Sequence, residues 1–200
     1  MLILRRIDCM KIDEAIMLVQ SQLSIKRFEH TMRVAETAKE LAHLYHVDLQ
    51  KAELAAILHD YAKDFPVNKL KQILMEEHFP QDLLHYDKEL WHGPVGAYIL
   101  RTEYGISDTD ILHAVRFHTT GRSKMSKLEL IIYVADYIEP GRQFPAVHEV
   151  RTIAQEDLFK AAWAVSRNTI QFLLKKNTLV YPDTINVYND LTRRLCEEHK

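Results

Sequence analysis

Four histidines and two aspartates in this sequence have the side-chain chemistry and the local setting of metal ligands. His59, for example, follows the alanine-rich stretch 52–56, and His118 follows the apolar face of 111–115. Imidazole and carboxylate ligands together suit iron, zinc, manganese or cobalt better than calcium, and a metal held in this way can assist hydrolysis. The six residues are His30, His59, Asp60, His92, His118 and Asp136.

Asp136 gives the strongest single indication of a metal. It lies in the stretch 131–138, one of the most apolar in the chain. A carboxylate buried alone costs several kcal/mol or shifts its pKa strongly. No lysine or arginine lies within four positions of Asp136 on its own helix, so a metal ion would supply the missing positive charge. Taken alone, His30, His92, His118 or Asp136 is more often an ordinary core residue, whereas the His59-Asp60 pair at the end of its alanine-rich helix is more often functional. Together the six residues indicate a metal site.

The elements that must position these residues are predicted to be helices along the whole chain. Apolar residues at helical spacing and capping residues predict helices over 13–23, 28–45, 48–59, 66–74, 94–104, 108–118, 126–139, 156–176 and 183–195. The predicted caps include Asp48, a capping box formed by Ser126 and Glu129, and Asp183 or Thr184. The segment 178–181 is predicted to be a short extended connection. We therefore predict an all-α fold, a single helical bundle over residues 11–200. Residues 1–10 do not fit the pattern and are predicted to be a disordered N-terminal extension.

Composition excludes several classes of function. The 200 residues are 47% hydrophobic with a net charge of −2, which argues against a nucleic-acid binder that acts through long-range charge. No apolar run approaches the 18 residues of a membrane span, and only Cys9 and Cys196 are present, so we expect a cytoplasmic protein that acts away from membranes. All five glycines lie between Gly93 and Gly141, which excludes a glycine-rich phosphate loop near the start.

The order of the motifs resembles that of a known family. The motifs are Lys26-Arg27-Phe28-Glu29-His30-Thr31, Ala52 to Asp64 with its His59-Asp60 pair, His92-Gly93-Pro94-Val95-Gly96-Ala97, Ala114 to Gly121, and Tyr133 to Arg142. This order resembles the HD-domain superfamily of metal-dependent phosphohydrolases. Within it the chain is similar, over about residues 11–189, to the YqeK family of bacterial hydrolases. The resemblance implies an all-α HD domain that cleaves diadenosine tetraphosphate symmetrically to two ADP.

The resemblance also implies the metal ligands and the catalytic residues. His30, His59, Asp60 and Asp136 would hold one metal ion, with iron as the first choice and manganese, cobalt or zinc as alternatives. A second ion would be held by Asp60, His92 and His118, unless the two histidines contact phosphate instead. Asp60, Lys63, His92 and His118 are the predicted catalytic residues.

A dinucleoside polyphosphate is the expected small-molecule partner, and several side chains are placed to bind it. Lys63 lies one turn beyond His59, Arg142 follows the Asp136 helix, and Arg27 precedes His30 by three positions. The full set of predicted substrate contacts is Arg27, Lys63, His92, His118, Thr119, Thr120, Tyr137, Arg142, Arg151 and Tyr181. A homodimer is a further expectation.

Other functions stay open at this stage. A guanosine-tetraphosphate hydrolase of the same superfamily is expected to carry a Glu-Asp dyad where this chain has Lys63 and Asp64. A cyclic-dinucleotide phosphodiesterase would need a Gly-Tyr-Pro motif, which the chain lacks. A deoxynucleotide phosphatase fits the same metal chemistry. From other classes, the chain could be a slow-turnover nucleotide sensor or a purely structural helical partner.

Overall fold

The computed structural model describes residues 10–77 and 79–197, and within these ranges the chain is helical with no β-strand. The helices are α1 (Ile12–Gln22), α2 (Ile25–Leu44), α3 (Leu49–Leu58), α4 (Val67–Glu76), α5 (His92–Thr102), α6 (Thr109–Phe117), α7 (Lys127–Ile138), α8 (Ala146–Ala154), α9 (Leu158–Lys175) and α10 (Pro182–Glu197). Two short 3-10 helices, Gln81–His85 and Lys88–Leu90, precede α5. The all-α prediction is confirmed. The predicted disordered extension lies outside the described residues except for Met10, and the division at residue 11 stays a prediction.

Side-chain caps fix the starts of the helices that carry the site. Asp48 accepts hydrogen bonds from the backbone N–H groups of Gln50 and Lys51 at the start of α3. Asp108 caps α6 in the same way, and Ser126 with Glu129 forms the predicted capping box of α7. These caps satisfy N–H groups that have no acceptor within their own helix. They set where each helix starts and therefore which residue stands at its other end.

Several predicted boundaries were wrong, and one helix was missed. Helix α5 begins at His92 rather than at Pro94, because a proline anywhere in the first turn has no intrahelical N–H bond to lose. Helix α2 begins at Ile25 rather than at residue 28, and α10 begins at Pro182, before the predicted caps Asp183 and Thr184. Helix α8 was not predicted, since its buried positions are few and it lies in what was taken as a connection.

Helix α7 is the centre of the bundle. Nearly every residue from 128 to 135 is buried, and the helix contacts α2, α3, α6, α8 and α9. Such a helix is apolar on all sides because neighbours cover all of them. Helices α5 and α6 pack together beside it, and α10 packs on α9. No helix in the described ranges is long and apolar enough to cross a membrane.

The helix ends, rather than the helix middles, create the site. His59 directly follows α3, His118 directly follows α6, and Asp136 lies in the last turn of α7. His92 is the first residue of α5. His30 comes from the second turn of α2. The packing of five helices around one point therefore brings together residues up to 106 positions apart in the sequence.

Candidate metal centre

All six residues predicted as candidate ligands come together in one buried cluster. Their ligand atoms form three overlapping groups, and within each group the atoms lie within 4.8 Å of one another. The groups are His30, His59 and Asp60; His59, His118 and Asp136; and Asp60, His92 and His118. Asp60 and the four histidines are almost completely buried.

The first part of the cluster joins α2, α3 and α7. His30 Nε2 lies 3.0 Å from Asp136 Oδ1 and 3.7 Å from Asp60 Oδ2. His59 Nε2 lies 3.4 Å from the same Asp60 oxygen. Two imidazole nitrogens and two carboxylates thus point at one another from three helices.

Backbone carbonyls fix which nitrogen of two histidines faces the cluster. His59 Nδ1 lies 2.6 Å from the carbonyl oxygen of Ala56, and His118 Nδ1 lies 2.8 Å from that of Val115. A carbonyl oxygen only accepts, so each Nδ1 carries the proton and donates it. In the neutral ring the lone pair is then on Nε2, which is the atom that faces the cluster. A histidine at the end of a helix also satisfies a carbonyl that has no intrahelical donor.

A buried carboxylate, Glu139, orients the third histidine. Glu139 Oε1 lies 3.1 Å from His30 Nδ1, while its Oε2 accepts from Arg33 Nε at 2.6 Å and from the Gly141 backbone N–H. The charge on Arg33 keeps Glu139 ionised, so His30 Nδ1 donates and its Nε2 is left with the lone pair. Sequence reasoning assigned Glu139 no role. The available signal was its position one turn after Asp136, on the same helix face.

Two of these nitrogens have no hydrogen-bond partner. His30 Nε2 and His59 Nε2 are buried without one among the described residues, although carboxylate oxygens are close. Buried polar atoms are nearly always satisfied, and an exception calls for an ion or another ligand. An imidazole nitrogen that carries a lone pair cannot hydrogen bond to a carboxylate, but the two can share a cation. The residues therefore fit a metal ion bound through nitrogen and oxygen.

The surrounding charges keep the carboxyl groups of Asp60 and Asp136 ionised, as binding of a cation requires. Burial by itself raises the pKa of Asp60, but the electrostatic attraction of the His59 imidazole and the contacts with His118 and His92 outweigh burial and hold the pKa well below its usual value. Burial opposes ionisation of Asp136 too, and the contact with His30 and the charge on Arg142 again lower its pKa. Both carboxylates are therefore negatively charged at neutral pH.

The second part of the cluster uses the other oxygen of Asp60. His92 Nε2 lies 3.0 Å from Asp60 Oδ1 and 2.9 Å from His118 Nε2. His118 Nε2 also lies 3.6 Å from Asp60 Oδ1 and 3.0 Å from the hydroxyl of Thr119. Burial lowers the pKa of His92 to about 4, so this ring is neutral. Asp60 thus links the two parts of the cluster, one through each oxygen.

Two arginines stand at the rim of the cluster. Arg27 donates to Asp60 Oδ2 at 2.9 Å, and Arg142 donates to Asp136 Oδ1 at 2.6 Å. Both side chains are partly exposed, 29% and 35% respectively. Arg142 corrects the sequence argument for a metal at Asp136, because a cation from the turn after the helix does reach this carboxylate. The case for a metal now rests on the imidazole nitrogens without partners.

Three other predicted substrate contacts, Lys63, Thr120 and Tyr181, each interact with a different neighbouring residue. Lys63 pairs with Glu89 at 2.8 Å, and the Thr120 hydroxyl donates to the carbonyl of Gly121. The Tyr181 ring packs edge-on against Tyr86 with centroids 4.9 Å apart.

Tyr137 and Arg151 complete the predicted set. Tyr137 packs against Phe144 beside Arg142. Arg151 donates to the carbonyl oxygens of Ile138, Glu139 and Arg142, so its observed contacts hold the turn after α7. Its predicted contact with substrate stays a prediction.

Comparison with known proteins agrees with this geometry. The HD domain family matches residues 27–141. The symmetrical bis(5'-nucleosyl)-tetraphosphatase of Halalkalibacterium halodurans is 54% identical over 89% of this chain and 95% of its own length. The protein of the same name from Bacillus subtilis is 51% identical over 88% of this chain and 95% of its own length.

A solved structure shares both the fold and much of the sequence. The crystal structure of a predicted HD superfamily hydrolase involved in NAD metabolism from Clostridium acetobutylicum aligns with a TM-score of 0.87 at 40% identity. The alignment covers 92% of this chain and 98% of that one. By sequence, by fold and by the cluster of histidines and aspartates, the chain belongs to the HD-domain family, and within it to the YqeK group of symmetrical bis(5'-nucleosyl)-tetraphosphatases.

Proposed function

We propose that this chain is a metal-dependent hydrolase that cleaves diadenosine tetraphosphate symmetrically to two ADP. The observation that carries the proposal is a pair of buried imidazole nitrogens, His30 Nε2 and His59 Nε2, which have no hydrogen-bond partner within residues 10–77 and 79–197 and are aimed at two ionised carboxylates. The names of relatives at 51–54% identity supply the substrate. Hydrolysis of a polyphosphate needs positive charge and an activated water in one place, and a metal site meets both needs.

His30, His59, Asp60 and Asp136 hold the metal in this proposal. Iron is the first choice, and manganese, cobalt or zinc suit the same donors. When bound, the metal lowers the pKa of a water molecule and neutralises charge on the phosphates. Asp60, His92 and His118 form the site of a second ion in the two-metal version. In the one-metal version His92 and His118 face the substrate phosphate instead.

The cationic side chains at the rim bind the phosphates. Arg27 and Arg142 each reach a cluster carboxylate and keep part of the guanidinium exposed, so a phosphate chain can lie across both. Lys63 adds a third positive charge: its ammonium group leaves the ion pair with Glu89 and binds a phosphate instead. Thr119, Thr120, Tyr137 and Tyr181 complete the proposed contacts. Arg151 acts through the turn that carries Arg142, whose carbonyl oxygen it binds.

Symmetrical cleavage breaks the central anhydride of the four phosphates. The oxygen of water bonds to one central phosphorus, the bridging oxygen leaves with the other half as ADP, and the first half becomes the second ADP. In the one-metal version, His118 Nε2 lies 2.9 Å from His92 Nε2 beside Asp60, where His118 can take up the proton that water loses. Asp60, Lys63, His92 and His118 are thus the proposed catalytic residues.

Product analysis tests the proposal. The protein is incubated with diadenosine tetraphosphate and, in separate reactions, with iron, manganese, cobalt or zinc, and the products are separated by chromatography. ADP as sole product is expected, whereas ATP plus AMP would contradict symmetrical cleavage. Asp60→Asn serves as the inactive control. NAD and a deoxynucleoside triphosphate are included as substrates, and preferential turnover of either would reassign the enzyme.

Two outcomes would move the protein out of the class of enzymes. Unchanged substrate that nevertheless binds would identify a nucleotide sensor. A purified protein without metal and without nucleotide binding would be a structural helical partner. The cytoplasmic location and the homodimer stay predictions, to be checked by fractionation and by light scattering.

A further inference from the structure

We infer that a cavity beside Asp136 binds one of the two nucleosides of the substrate. The inference rests on the proposed function and extends it, because it assigns a place to one half of the dinucleotide, apart from the proposed contact Tyr181. The cavity has a volume of about 620 Å³ and lies between the end of α7, the turn that follows it, and α9. This volume is within the usual range for small-molecule sites, roughly 300–1,000 Å³.

The cavity is continuous with the metal cluster. Asp136 and Arg142 line the cavity. Asp136 Oδ1 contacts both Arg142 and, on the cluster side, His30 Nε2. A phosphate held by Arg142 at this edge would therefore have its attached nucleoside in the cavity.

The walls have the chemistry that a nucleoside needs. Tyr137 and Phe144 meet edge to face with centroids 4.9 Å apart, and Phe172 from α9 is 54% exposed beside them. An exposed aromatic ring next to two others gives a base a surface on which to stack. Polar groups stand among these rings, as in most sites for small ligands.

One of these polar groups is held in a fixed orientation. Asn168 donates through Nδ2 to the Tyr137 hydroxyl at 3.2 Å. Its Oδ1 accepts from Arg167 Nε and from a terminal guanidinium nitrogen at 3.1 Å and 3.0 Å. The contacts pin both the Asn168 amide and the Tyr137 ring. Such prior ordering lowers the entropy cost of binding.

A second aromatic pair, Tyr86 and Tyr181, lies outside the cavity and is available for the other nucleoside of the substrate. Tyr181 packs on Tyr86, and neither residue lines the cavity beside Asp136. Tyr181 directly precedes α10, and Val187 of that helix packs against Gly121, three residues after His118. The two aromatic pairs are therefore separate, and a substrate with two nucleosides can engage both.

A comparison of two substrates tests the inference. Adenosine 5'-tetraphosphate lacks one nucleoside, and its cleavage between the second and third phosphates gives ADP and pyrophosphate. Ala146→Trp fills the cavity from the first residue of α8, and Phe172→Ala removes an exposed wall that the fold does not need. Met17→Trp, on the exposed face of α1, is the control for adding a large ring. The measurements are KM for both substrates and their dissociation constants for metal-free protein by equilibrium dialysis.

We expect the wild type to have a KM about tenfold lower for the dinucleotide than for adenosine tetraphosphate, the scale of one well-filled apolar subsite. Both cavity variants should remove most of this difference by raising KM for the dinucleotide alone. Wild-type KM in a folded Phe172→Ala variant, or equal losses on both substrates, would overturn the inference. If the wild type cleaves neither substrate, the proposed function fails. The dissociation constants from dialysis then test the subsite, because the cavity variants should weaken binding of the dinucleotide and not of adenosine tetraphosphate.

Discussion

Each end of α7 has a carboxylate paired with an arginine, almost completely buried at Glu129 and partly buried at Asp136, but the two ends differ in how fully these groups are hydrogen bonded. At the start, Glu129 accepts from Arg122 through both oxygens, at 2.6 Å and 2.8 Å, and from the Ser126 backbone N–H at 2.7 Å. Both partners lie within seven positions of Glu129 in the sequence. At the other end, Asp136 meets Arg142 and, from a distant helix, His30.

The difference shows how to separate a structural charge from a functional one. The Glu129 group is complete within the chain and needs nothing else, as buried ion pairs in folds are expected to be. The Asp136 group stands beside two imidazole nitrogens for which the described residues offer no hydrogen bond. A buried carboxylate alone therefore indicates little. Its unsatisfied neighbours indicate a ligand.

The largest expected effect is that of Asp136→Asn, which removes a charge at the unsatisfied end and keeps the shape. We expect the bound metal to be lost and kcat for diadenosine tetraphosphate to fall by about 1,000-fold, the upper range for losing one strong electrostatic contact. Metal analysis and steady-state kinetics measure these effects, with circular dichroism to confirm folding. Near-wild-type turnover with full metal content would remove Asp136 from the site.

Arg122→Ala removes the ion pair with Glu129 at the start of α7, where the charged groups are fully hydrogen bonded. Glu129 is then buried without its partner, and we expect the free energy of unfolding to fall by about 3 kcal/mol, as for other broken buried pairs. Urea unfolding measures the loss. Metal content per folded molecule should be unchanged, and a loss of metal would show that the two ends are not independent.

Glu139→Gln and Glu129→Gln make the same chemical change at the two ends. Glu139 orients His30, and outer partners of metal ligands typically contribute 10–100-fold to metal affinity. We therefore expect Glu139→Gln to weaken metal binding by about 10-fold or more in a competition titration with a coloured chelator. Glu129→Gln should lower stability and leave metal affinity as it was. Equal metal affinity in both variants would make Glu139 merely structural.

Arg142→Ala gives the smallest of these effects. Because Arg142 stands at the rim, its loss should raise KM for diadenosine tetraphosphate by about tenfold, a typical value for one charge-assisted contact. Metal content should remain normal, since Asp136 keeps its charge. A variant that loses the metal would reassign Arg142 to the support of Asp136.

The sequence predicted which residues form the site better than which side chains contact one another there. Four of the candidate ligands, His30, His59, His118 and Asp136, could be found because each lies on or next to an apolar helical face. The caps at Asp48 and Ser126 could be found because capping is local. Glu139 was missed since its partner His30 is 109 positions away. Spacing along one helix could show that Glu139 lies one turn after Asp136, but not that it contacts His30.

The cavity beside Asp136 could not be predicted for the same reason. Its walls come from α7, the turn that follows it, and α9, and only their packing brings Phe144 and Phe172 together. Helix α8 starts directly after this turn and was missed because its buried face is short. Sequence patterns define faces of helices, and the site depends on which faces meet.

Anomalous X-ray diffraction from crystals of the metal-loaded, active protein tests the central claim most directly. Data on both sides of the absorption edge of the bound metal locate the ion independently of any assumed ligand. We predict an anomalous peak within bonding distance of His30 Nε2, His59 Nε2, Asp60 and Asp136. Active crystals with no peak between these side chains, or with the ion bound elsewhere, would contradict the account.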